Sequence, residues 1–99
     1  MDGGKVNVWK LDHIVPASDV DVEEQRLAEV LAKAGYDVGK LSLDALAQQV
    51  LAERAKAVVM SIGIAPSNWP HYPLGNGGVE ERFQFSREED QVNARLALA

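Results

Sequence analysis

The chain has 99 residues, 46% of them hydrophobic and 25% charged, which fits one globular α/β domain over 1–99 and excludes a disordered chain. Fifteen acidic against ten basic residues give a formal charge of −5, and the Lys and Arg fall singly, so no basic stripe is laid out for nucleic acid. The absence of cysteine removes disulfides, thiolate metal sites and cysteine nucleophiles.

Val6 to Leu11, "VNVWKL", is rich in β-branched and aromatic residues and reads as a first strand. After the polar connection "DHIVPASDVD", Asp21 is placed to cap a helix, with Glu24 three residues on. Leu27, Val30, Leu31 and Ala34 form its apolar stripe, and Gly35 ends it in the left-handed conformation that glycine tolerates. Tyr36 to Leu41 reads as a second strand. Ser42 then caps a second helix carrying Leu43, Leu46, Ala47, Val50 and Leu51 on one face. Ala57 to Ile64, "AVVMSIGI", is apolar almost without alternation, the pattern of a strand covered on both faces.

This order predicts a small three-layer, Rossmann/flavodoxin-like βαβαβ unit with parallel strand order 2-1-3. Asn7 and Lys10 fit the central position of the first strand poorly. They suit an edge better, with another chain or Val79 to Phe85 altering the order. In "VEERFQF" Val79, Glu81, Phe83 and Phe85 share one face, which predicts a half-exposed edge strand. Ser86 and Glu89 form a capping box for a short terminal helix with a thin apolar face of Val92, Leu96 and Ala99. That helix covers either its own sheet or a neighbour's.

Glu24 to Ile64 resembles half of a Rossmann-type or flavodoxin-like domain, and "LAKAGYDV" with "KAVVMS" resembles cobalamin-binding domains. That family carries D-x-H-x-x-G after its first strand. Here Asp12 and His13 are adjacent and no glycine follows, so no cobalamin is expected. "LDHIVPAS" is similar to the D-H-I-x-P segment of HNH endonucleases, but the next asparagine is Asn68, beyond two predicted helices, and the metal-site spacing fails.

Ligands of open parallel sheets bind beyond the carboxyl ends of the strands. The predicted order brings two loops together there, converging Asp12, His13, Ser67, Asn68, Trp69, His71 and Tyr72 on one rim. The second loop, "APSNWPHYPLGNGG" (65–78), is then a recognition surface. The competing reading is that its prolines and glycines pre-set turns while Trp69 and Tyr72 cap the core. No glycine-rich phosphate loop follows the first strand, and Asp21, Glu23 and Glu24 would repel an anion, so no nucleotide or other cofactor is expected. His13, His71 and Asp12 are chemically suited to zinc or iron, but no H-x-H or H-x₃-H spacing supports a metal site. Ser61 lies in no nucleophile elbow, and no catalytic residue is assigned.

These features lead to a binding module or accessory subunit that acts through a protein partner or as a homo-oligomer. One alternative is an enzyme or enzyme subunit with a metal or acid–base site built from His13 and His71. Another is an acidic inhibitor that occupies a basic groove on its target. The opening "MDGGKVNVWK" lacks the pattern of a secretory leader, and no apolar run reaches the ~18–20 residues that cross a bilayer. A cytoplasmic protein with no membrane partner is therefore expected.

Overall fold

The computed structural model describes residues 8–99. Its sheet is antiparallel and three-stranded: β1 (Trp9–Val15), β2 (His71–Pro73) and β3 (Val79–Phe85), in the order β1-β3-β2. Three helices accompany it: α1 (Ala17–Lys33), α2 (Leu43–Ser61) and α3 (Glu88–Leu98). The predicted parallel βαβαβ unit with order 2-1-3, and the Rossmann-like reading with it, is overturned: two of its three strands do not exist.

The first of them, Ala57 to Ile64, is mostly the last part of α2. No glycine or proline interrupts the chain between Ser42 and Gly63, so one helix runs through. Ala52, Ala55 and Val59 fall on one side of it and are buried, Ala55 and Val59 in a core with Phe83 and Phe85. The second, Tyr36 to Leu41, is a tight turn containing a single 3₁₀ turn at Val38–Lys40, where Asp37 Oδ1 accepts the Gly39 N–H at 3.2 Å. With it, α1 and α2 form a helical hairpin. Gly35 ends α1 as expected, at φ +94°.

Smaller corrections follow. α1 starts at Ala17 rather than at an Asp21 cap, because the Pro16 carbonyl accepts the Asp19 and Val20 N–H groups. Val79–Phe85 is the middle strand, not an edge, and its alternation is strict: Val79, Glu81, Phe83 and Phe85 are all buried. β1 lies at the edge, where Lys10 reaches water, and runs on to Val15. Val6 and Asn7 lie outside the described residues. α3 docks on its own sheet through Ala94 and Leu98, while Val92 and Leu96 face solvent. Its buried row is thus not the Val92–Leu96–Ala99 face.

Two clusters make the core. Val15, Val20, Leu27, Ala47 and Val79 join α1 and α2 to one end of the sheet. Ala55, Val59, Ile64, Phe83, Phe85 and Ala94 join α2 and α3 to the other. Both use the same sheet face. The opposite face, with Lys10, Asp12, Ile14, Arg82 and Tyr72, is exposed, as antiparallel sheets permit.

The "LGNGG" stretch closes the β2–β3 hairpin. Leu74 and Gly78 pair through Leu74 N–H and Gly78 O at 2.8 Å, and Gly77 takes φ +97° in the three-residue loop between them. Gly78 is fixed by close approach: a Cβ there would lie 2.6 Å from the Val15 carbonyl oxygen. Gly78→Ala is expected to cost about 1–3 kcal/mol by forcing β1 and β3 apart at Val15–Val79. Urea denaturation beside the parent protein checks this.

Candidate functional site

The backbone bonding of β3 shows what each of its sides holds. Arg82 N–H donates to Pro70 O and Gln84 N–H donates to Asn68 O, each at 2.8 Å. Even-numbered residues of β3 therefore bond toward the 67–73 segment, and odd-numbered ones toward β1. The segment continues β2 backward in one register, from Pro73 opposite Val79 to Asn68 opposite Gln84. Ser67 ties its start down, donating both its N–H (2.8 Å) and its hydroxyl (3.1 Å) to Gln84 O.

This edge cannot readily accept another strand. The outward backbone positions are Trp69, His71 and Pro73. The Trp69 N–H is already taken by Asn68 Oδ1 at 3.0 Å, and Pro73 has no N–H to give. What the edge offers instead is side chains. Trp69 and Tyr72 stand on opposite faces of the segment and are 38% and 44% exposed, enough to be touched by another molecule. Lys56 Nζ sits 4.6 Å from the Trp69 ring centroid, and Arg82 Cζ sits 4.6 Å from that of Tyr72. Each cation is itself tied to a carboxylate, Lys56 to Glu53 Oε2 at 3.0 Å and Arg82 to Glu80.

The predicted site residues thus divide. Ser67, Asn68, Trp69, His71 and Tyr72 do share one edge. Asp12 and His13 are in β1, on the far side of β3, and they point to opposite faces because they are adjacent in a strand. Asp12 is paired with Arg82 on the exposed face. His13 faces the helices in a shallow groove with Val15, Leu51, Arg54 and Leu98, where burial holds its imidazole below the ordinary value. No common rim exists, since the parallel strands that would have built it are absent.

The register nevertheless places His13 and His71 in one cross-strand row, one on each side of Glu81. Glu81 is the residue that sequence reasoning missed. Its side chain is 1% exposed and its Oε2 has no hydrogen-bond partner. Burial, then the nearby Glu53 charge, pushes its carboxyl up to about 7, against a smaller opposing effect of Lys56. The signal was visible in "VEERFQF": a carboxylate in register with three apolar residues. A second buried acid, Glu23, is differently served. Hydrogen bonds from Arg26, with Arg54 3.4 Å away, hold its carboxyl below the ordinary range despite burial. Among the described residues, no group of three or more His, Asp or Glu side chains is arranged to hold a metal ion. Nor is any helix there long and apolar enough to cross a membrane.

No family model matches this chain, and no curated protein or solved structure matches it either. Geometry alone therefore carries the functional reading.

Proposed function

We propose that the protein is a binding module that engages a protein partner through the edge 67–73. The observation that carries this reading is the pair of half-exposed rings, Trp69 and Tyr72, each held under a cation on a strand edge where two of the three outward positions have no N–H to offer. Tryptophan and tyrosine bury large rigid surfaces at little entropic cost and dominate binding energy at interfaces. Orienting them beforehand lowers that cost further. Lys56 and Arg82 above the rings suit a partner surface with apolar pockets flanked by carboxylates.

The test places a photo-crosslinking amino acid at His71 in the producing cell, with the same group at Glu29 on α1 as control. A discrete protein adduct from position 71, absent from position 29 and reduced at least tenfold by Trp69→Ala with Tyr72→Ala, supports the reading. Equal adducts from both positions, none from 71, or unfolding of the double variant would overturn it. The last outcome would make the rings core caps.

A further inference from the structure

The interior of the sheet's helix-covered face holds one charge-bearing group that its surroundings do not satisfy, and α2 holds a cation near it that is bound elsewhere. Glu81 lies at the middle of the central strand, fully buried, with Oε2 unpaired. From α2, Glu53 and Lys56 face it. From β1 and β2, His13 and His71 flank it in register. α3 meets this face with Ala94 and Leu98, and the other charged residues of β3, Glu80 and Arg82, point to the opposite face. Lys56 is the described cation whose charge acts on it. Its ammonium is engaged twice, by Glu53 Oε2 at 3.0 Å and by the Trp69 ring at 4.6 Å.

We propose that Glu81, Lys56 and Trp69 form a proton-controlled switch in which the Lys56 ammonium sits over Trp69 when Glu81 is neutral and moves to Glu81 when it is ionised. The driving force is the cost of an unpaired buried carboxylate, which in a low-dielectric interior exceeds the cost of giving up a part-exposed ion pair and a cation–π contact. Loss of the Glu81 proton to solvent leaves a negative charge that, among the described residues, the Lys56 ammonium is placed to neutralise: burial disfavours the charged form of His13, which points into its own groove, and His71 lies on the exposed edge. The carboxyl's upward displacement places the change near neutrality. The inference rests on this cluster alone, whatever binds the edge.

The indole N–H resonances of Trp9 and Trp69, resolved by NMR in the intact protein, test it across pH 5 to 9. The Trp69 indole should shift with a midpoint near pH 7. The shift should vanish in Glu81→Gln and in Lys56→Met, while the Glu81 carboxyl carbon still titrates in Lys56→Met. It should persist in His13→Gln and His71→Gln. Persistence of the Trp69 shift in Lys56→Met, or its loss in either histidine variant, would overturn the proposal. So would a Trp69 resonance that never moves in the parent protein.

Discussion

Glu81 alone is expected to remove about 3 kcal/mol of unfolding free energy as pH rises from 4.5 to above 7, and Glu81→Gln should abolish that loss. In the folded chain the buried carboxyl keeps its proton to about pH 7, whereas in the unfolded chain it gives the proton up near 4.5. Between those values the folded state binds more protons, so stability from this group is complete below 4.5 and gone above 7. Two groups act with the opposite sign. Glu23, held ionised by Arg26 and Arg54, contributes stability above 4.5 that fades as pH falls below it. His13, kept neutral by burial, contributes stability above its ordinary value of 6.5 that fades as pH falls through the value it has when folded. Urea titrations of both proteins over pH 4 to 9 measure the effect, and the difference between the two profiles isolates Glu81. Parallel profiles would show a carboxyl that never loses water on folding.

Phe83→Ala is expected to cost about 3–5 kcal/mol, a large share of the ~5–15 kcal/mol that holds such a domain folded. Phe83 has no exposed surface and stacks on Phe85 at 6.1 Å between ring centroids. Ala55, Val59, Ile64 and Ala94 share their cluster, and most of these are too small to fill the void by relaxing. Phe83→Leu keeps much of the volume and should cost well under half as much. Chemical denaturation of the two variants gives the ratio. Near-equal costs would mean that ring stacking, rather than cavity formation, dominates.

What the sequence disclosed was local. The strict alternation of Val79 to Phe85, the glycine stop at Gly35 and the helix opening after Ser42 are each decided by residues within a few positions, and each stands in the structure. Ala57 to Ile64 misled because a short apolar run has no period, so a buried helix end and a buried strand look alike. Only its continuity with Leu43 argued for helix. Expecting a strand where this helix end lies, and another at the turn Tyr36 to Leu41, turned an antiparallel sheet into an expected parallel one. The expected rim went with it. The edge residues Ser67 to Tyr72 remained together because they are neighbours in sequence, while Asp12 and His13 depended on topology. Glu81 was legible as an acid on an apolar face, but its isolation depends on where Glu53 and Lys56 fall, which no spacing in the sequence announces.

The pairing of β1 with β3 joins Trp9 to Phe85, so the sheet closes a circuit around nearly the whole described chain. Contacts so remote in sequence must overcome the entropy of closing everything between them, and they form slowly. The α1–α2 hairpin needs no such closure and can assemble while the chain is still being made. β1 is synthesised before both helices of that hairpin, yet its hydrogen-bonding partner β3 follows them. Until then Trp9, Leu11 and Val15 have nothing of their own sheet to lie against, and the newborn chain carries an unmatched strand while both helices are made.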